Sequence, residues 1–164
     1  MLSISVKEFL IWKKKQLSKG GDHQSFAFLL ESIGGLSPEN QNLLSINQER
    51  ILYLEENLDH LESTWNKHLQ NHTPIQYLCG ITFWRDLKLK VTDKVLIPRP
   101  ETELIVDIVF NIFRKKSEKL FFAELGTGSG AISIALALAY PFSDLVATDI
   151  NQDALKIAIK NYEN

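Results

Sequence analysis

Residues 121–135 read FFAELGTGSGAISIA. An apolar, aromatic run closes on Glu124 and Leu125. Glycines follow at every second position, Gly126, Gly128 and Gly130, and then a helix-forming segment opens at Ala131. Glycine lets the chain turn sharply and lets a ligand approach the backbone, because no Cβ stands in the way. The helix that follows presents free N–H groups at its start. A strand, a glycine turn and a helix in this order predict a ligand-binding loop of an α/β domain.

Three ligands suit such a loop, and the residues separate them. A Walker-type phosphate loop requires Gly-Lys-Ser/Thr after four intervening residues. No lysine stands here. A dinucleotide fingerprint is met by Gly126, Gly128 and Ala131, with Asp149 placed to hold a ribose. Glu124 argues against it, since a carboxylate beside the turn repels a pyrophosphate. S-adenosylmethionine has no phosphate and carries a sulfonium and an ammonium. Glu124 suits that cationic end, the glycines admit the amino-acid part, and Asp149 accepts from the ribose hydroxyls. Electrostatics therefore favours the methyl donor over NAD. A glycine turn serving only chain geometry is the remaining alternative.

Outward from the turn, the C-terminal third alternates. KLFFAEL (119–125) is a strand, AISIALALAY (131–140) a helix, DLVATDI (144–150) a strand and NQDALKIAIKNYEN (151–164) a helix. This βαβα order opens a doubly wound parallel sheet. Upstream, ITFWRDLKLKVTDKVLIP (81–98) alternates at Leu87, Leu89 and Val91, and predicts a β-hairpin with its turn at Thr92-Asp93. Pro98 and Pro100 end the strand. Pro100, Glu101 and Glu103 start a helix that Arg114, Lys115 and Lys116 close. That helix, ETELIVDIVFNIF (101–113), is apolar on more than one side, which predicts deep burial.

The first 70 residues read as a small helical bundle. Asp22 caps a helix over HQSFAFLLES (23–32), stopped by Gly34-Gly35. Ser37-Pro38-Glu39 starts another. The longest pattern, NQERILYLEENLDHLESTWNKHLQ (47–70), places Ile51, Leu54, Leu58, Leu61 and Trp65 three and four apart on one face.

Composition bounds the function. The chain has 164 residues with 18 basic and 20 acidic side chains, so no overall basic excess draws it to nucleic acid. Its start lacks a secretory core, no stretch is apolar enough to span a membrane, and WKKKQLSK (12–19) reads as a solvated helix face. The single Cys79 fits a reducing cytoplasm and is read as a small buried filler. His68 and His72 lie four apart with no third ligand in view, so no metal site is expected. Trp65, Phe83 and Trp84 are read as packing residues rather than a substrate platform.

The segments TPIQYLCG, VLIPRPETELIVDIV, AELGTGSGAISIALA and ATDINQDALKIAIKN, in this order and spacing, resemble the HemK/PrmC protein-glutamine N-methyltransferases. IPRPETE with the upstream Pro-x-Gln-Tyr-x-x-Gly carries the resemblance more specifically than the glycines do. LQNHT, before Pro74, departs from the family's usual basic residue and Gly-Glu. The resemblance implies an N-terminal helical domain (1–72) that recognises substrate, a β-hairpin linker (73–98) and a Rossmann-like seven-stranded methyltransferase domain (from 99). It implies S-adenosylmethionine as cofactor, bound by Glu124, Gly126, Thr127, Gly128, Ser129, Gly130 and Asp149. It places Arg99, Pro100, Glu101 and Thr102 over the cofactor side. It implies a monomeric cytoplasmic enzyme whose partner is a peptide chain release factor, methylated on the glutamine of Gly-Gly-Gln. A sister branch acts on a ribosomal protein; the other readings are a methyltransferase on the same cofactor fold acting on nucleic acid or a small molecule, and a non-catalytic binding fragment whose helical domain docks on a protein.

The family's amide-orienting Asn-Pro-Pro-Tyr is not among the residues. The five prolines are Pro38, Pro74, Pro98, Pro100 and Pro141, none after an asparagine and none adjacent. Only two of seven strands are present. The expectation is an N-terminal part of a longer enzyme, inactive by itself.

Overall fold

The computed structural model describes residues 1–46, 49–114 and 119–163. The chain divides into two units, Met1–Cys79 and Gly80–Asn164.

In the first unit, strand β1 (Leu2–Ser5) runs directly into helix α1 (Val6–Leu17). Ser5 ends the one and caps the other. Its hydroxyl accepts from the Glu8 N–H at 3.2 Å, and the Glu8 carboxylate accepts from the Ser5 N–H in return, a reciprocal capping box. Helix α2 (His23–Ser32) starts on Asp22, whose carboxylate accepts from the Ser25 N–H at 2.7 Å. Helix α3 (Pro38–Leu43) starts on Ser37. Both starts are where the sequence puts them.

The long helix expected over 47–70 is shorter. Residues 47 and 48 lie outside the described residues. Ile51–Leu54 forms strand β2, antiparallel to β1 with Ile4 opposite Leu52 and Leu2 opposite Leu54. Helix α4 (Leu58–Asn71) begins only after Asn57, whose side chain accepts from the His60 N–H at 2.8 Å. The physical reason is a coincidence of spacing. Ile51 and Leu54 fit a helical stripe, but Leu52 and Leu54 also fit the alternation of a half-buried strand. The β1 edge, far away in sequence, decides between them. Helix α5 (Ile75–Cys79) follows, after His72 ends α4 in the left-handed region at φ 51°. Phe9, Phe26, Leu29, Leu54, Leu61 and Trp65 form the core. The Trp65 and Phe26 rings meet edge to face, 4.8 Å between centroids, a favoured aromatic geometry.

In the second unit, β3 (Ile81–Trp84) and β4 (Leu87–Lys90) form the hairpin. Its turn is Arg85-Asp86, not Thr92-Asp93. Trp84 pairs with Leu87, and Arg85 takes φ 50°, as a two-residue hairpin loop requires. An Arg-Asp pair carries no glycine or asparagine to announce it. Arg85 is held in this conformation by an ion pair to Asp107 at 2.9 Å and by the Phe110 ring beneath its guanidinium.

A 3₁₀ turn (Pro100–Thr102) leads into helix α6 (Glu103–Ile112). The helix ends before Arg114, and Lys115 and Lys116, expected in its last turn, lie outside the described residues. Deep burial of this helix is not found. Val106 is buried, while Leu104, Ile105, Ile108 and Ile112 are exposed. Strand β5 (Phe121–Leu125), helix α7 (Ala131–Ala139), strand β6 (Asp144–Thr148) and helix α8 (Gln152–Tyr162) complete the βαβα order. The two strands pair in parallel, Glu124 opposite Ala147. Phe122 and Leu145 pack against a core of Trp84, Leu89, Val106, Ile134 and Tyr140. Phe121, Leu125 and Val146, on the opposite face, are exposed. Overall the chain is a mixed α/β protein.

Candidate functional site

The glycine turn lies at the carboxyl ends of β5 and β6, where open α/β sheets bind their ligands. The end of β6 shapes it first. The Thr148 carbonyl accepts from both the Gly126 and Thr127 N–H groups, at 2.8 and 2.9 Å. Gly126, Gly128 and Gly130 all have positive φ, at 79°, 55° and 84°. Two of them leave room: a Cβ built on Gly126 or Gly128 meets no atom within 4 Å. Gly130 has another role. A Cβ there would come to 3.3 Å from both Ala158 and Ile134, so this glycine permits the close approach of α7 and α8.

Asp149, just past the end of β6, is tied to the loop. Its Oδ2 accepts from the Gly128 N–H and its Oδ1 from the Asn151 N–H, each at 2.8 Å. The backbone N–H of Asn151, and then that of Gly128, hold its carboxyl below the usual carboxylate range. Each oxygen keeps a second lone pair for a hydroxyl donor.

Glu124 is engaged through one oxygen. Its Oε2 accepts from the Thr127 hydroxyl at 2.7 Å, from the Ser133 N–H at 3.2 Å and from the Ser133 hydroxyl. Gly130 stands at the N-cap of α7 and has no side chain to cap with. Glu124 reaches across from the strand and satisfies the third helical N–H instead. Its negative charge also suits the positive end of the helix. The Oε1 atom accepts no hydrogen bond among the described residues.

Thr127 and Ser129, the two non-glycine members of the loop, are both buried. The Arg99–Thr102 segment is shaped by the hairpin: the Trp84 indole donates to the Arg99 carbonyl at 2.9 Å. Arg99, Pro100 and Glu101 are exposed. In the irregular segment that leads to them, the Lys94 carbonyl accepts from the Asn151 side chain at 3.3 Å.

Other sequence candidates fall elsewhere. Trp65 and Trp84 are buried in their cores, as packing residues, whereas Phe83, expected to pack with them, is 41% exposed. The ring of His68 lies against Trp65, and its Nδ1 is 2.7 Å from the Thr73 carbonyl. Among the described residues no three metal-ligating side chains cluster, and no helix is long and apolar enough to cross a membrane. Cys79 packs against the first unit's core, and burial pushes its thiol up to about 12.

Two side chains that build the site were missed in the sequence. Ser133 is the one hydroxyl in AISIALALA, a visible exception in an apolar helix. Asn161 donates to the Ser129 carbonyl at 2.8 Å, and nothing in the sequence marks it.

A strand, a glycine turn with two left-handed open positions, a helix, and a parallel strand followed by an acid together form a βαβ unit with a candidate ligand loop. No protein-family model matches the chain. Curated proteins do. It is 41% identical over 161 residues to the release factor glutamine methyltransferase of Prochlorococcus marinus, covering 96% of this chain and 54% of that one. The protein of the same name from Synechocystis is 36% identical, covering 96% and 55%. That of Bacillus subtilis is 34% identical, covering 97% and 55%. The chain belongs to this family of protein-glutamine methyltransferases, the HemK/PrmC family, and spans about half the length of the curated relatives it matches.

Proposed function

We propose that the whole protein transfers a methyl group from S-adenosylmethionine to the side-chain amide of the Gly-Gly-Gln glutamine of a peptide chain release factor. The observation that carries the cofactor is the loop itself. Space opens over Gly126 and Gly128, with a free carboxylate oxygen of Glu124 at one end and Asp149 at the other. When bound, S-adenosylmethionine supplies a methyl group already activated on a sulfonium. The residues around it bind and orient. Glu124 Oε1 faces the cationic amino-acid end, Asp149 accepts from the ribose hydroxyls, and Gly126–Gly130 admit the chain between them. Thr127 and Ser129 line the loop from its buried side. Arg99, Pro100, Glu101 and Thr102 lie over the cofactor.

The substrate class comes from the relatives, whose names all specify release factor glutamine. An amide nitrogen is a weak nucleophile, so the reaction needs acceptors that orient the NH₂ in line with the methyl group. No Asn-Pro-Pro-Tyr occurs among these 164 residues, and we assign none of them to that step. In this proposal residues 1–72 recognise substrate, 73–98 form a hairpin linker, and from 99 the chain contributes to a Rossmann-like seven-stranded sheet. The enzyme is a cytoplasmic monomer that touches no nucleic acid directly.

The test is twofold. Calorimetry on the whole protein is expected to show S-adenosylmethionine binding and no NAD binding; the reverse result overturns the cofactor. Labelled cofactor is expected to mark the Gly-Gly-Gln glutamine of a release factor with the whole protein and not with the 164-residue chain. Label on a ribosomal protein instead would move the assignment to the sister branch.

A further inference from the structure

We infer that Asn161 is a positioning residue of the glycine loop. It lies near the end of α8, 32 residues from the loop it touches, and only 6% of it is exposed. Its amide makes three hydrogen bonds. The Oδ1 accepts from the Lys90 N–H at 2.7 Å, and the Nδ2 donates to the Lys90 carbonyl at 3.0 Å. Asn161 thus pairs with the last residue of β4 much as a neighbouring strand would. The second Nδ2 hydrogen goes to the Ser129 carbonyl at 2.8 Å.

That carbonyl matters because of where it stands. Ser129 is flanked by Gly128 and Gly130, both in the left-handed region, where glycine's freedom leaves the peptide planes unconstrained by sterics. A glycine-rich loop gains access for a ligand and loses definition. Asp149 fixes the peptide before Gly128, and Asn161 fixes the one after Ser129. Asn161 does so from the buried side, and a Cβ on Gly126 or Gly128 still meets no atom within 4 Å. Because the same amide holds Lys90, the loop is referenced to the hairpin rather than to its own helix alone. The link to cofactor binding rests on the methyl-donor proposal above; the link to loop conformation does not.

Asn161→Asp is the sharp variant. It keeps the size and the acceptor for the Lys90 N–H, and it removes both donors, setting a carboxylate against two carbonyl oxygens. Asn161→Ala removes all three bonds, and Lys156→Ala, exposed on the same helix, serves as control. Hydrogen exchange and S-adenosylmethionine calorimetry are measured on the whole protein. The expected result for both Asn161 variants is about tenfold faster exchange at the Gly128 and Gly130 amides, with the α7 amides from Ile134 onward unchanged, and about tenfold weaker cofactor binding. The control should match the parent. Unchanged loop exchange in folded variants overturns the proposal. So does loss of folding in both, which would make Asn161 a residue of the core. Faster exchange with unchanged affinity removes its role toward the cofactor. Faster exchange in a parent protein that binds no S-adenosylmethionine leaves Asn161 as a loop-positioning residue and overturns the methyl-donor proposal.

Discussion

The Oε2 atom of Glu124 lies 3.2 Å from the backbone N–H of Ser133. An acid at the end of one strand therefore caps the helix that follows, across the glycine turn between them. The residue proposed to meet the cofactor's positive end is also part of the scaffold, one oxygen for each purpose.

Glu124→Gln and Glu124→Ala should separate these purposes. Glutamine keeps a carbonyl oxygen for the Ser133 N–H and loses the charge. It should fold with near-parental stability and bind S-adenosylmethionine more weakly. Alanine leaves α7 uncapped and should cost about 0.5–2 kcal/mol in chemical denaturation. Equal stability of the two variants would show that the cap contributes nothing.

Asp149 gives a pH dependence with a definite sign. Its carboxyl is held below the ordinary value by the Asn151 and Gly128 N–H groups. The folded state therefore favours the ionised form. The stability this contributes is fully present above the ordinary Asp value, near pH 4, and is lost as the pH falls through the lower folded value. Asp149→Asn should abolish that part of the acid-side slope, seen by comparing denaturation midpoints below pH 4. A slope identical to the parent's would contradict the two bonds. The same variant should bind the cofactor about tenfold more weakly.

Ile51 and Leu54 distinguish strand β2 from the helix that the spacing suggests. On a helical face both would be buried. In the strand, Ile51 is 48% exposed and Leu54 fully buried. Leu54→Ala should cost about 2–5 kcal/mol, and Ile51→Ala well under that. Comparable losses at the two positions would favour the helix.

Cys79 should be slow to alkylate. Burial pushes its thiol up to about 12, and the thiolate is the reactive species. At pH 8 a folded sample should react far more slowly than one in denaturant. Equal rates would place the thiol in solvent.

Local signals in the sequence carried to the structure where they were self-contained. Asp22 and Ser37 cap the helices they precede, because a cap needs only a side chain and an N–H three residues on. The βαβα order and the glycine turn were legible for the same reason. The three failures are all non-local. Ile51–Leu54 became a strand because β1 offers it an edge, and the hairpin turns at Arg85 because Asp107 and Phe110 hold that side chain. The apolar sides of α6 spoke for burial, yet what a helix meets is decided by the elements around it. At the site, Glu124, the glycines and Asp149 stood out by type and position. Ser133 and Asn161 did not, since their importance lies in which carboxylate and which carbonyl they reach.

Ser5, shared by β1 and α1, sets an order of events during synthesis. The capping box with Glu8 spans three residues and needs nothing made later, so α1 can form in about a microsecond once its residues are available. The partner of β1 begins at Ile51, 46 residues after Ser5. At about 5–20 residues per second, Leu2 and Ile4 wait roughly 2–10 seconds for Leu54 and Leu52. Through that interval the nascent segment holds an unpaired apolar edge, kept in place by a finished helix at its end. The ribosome's pace, and whatever shields that edge meanwhile, become part of how this protein reaches its fold.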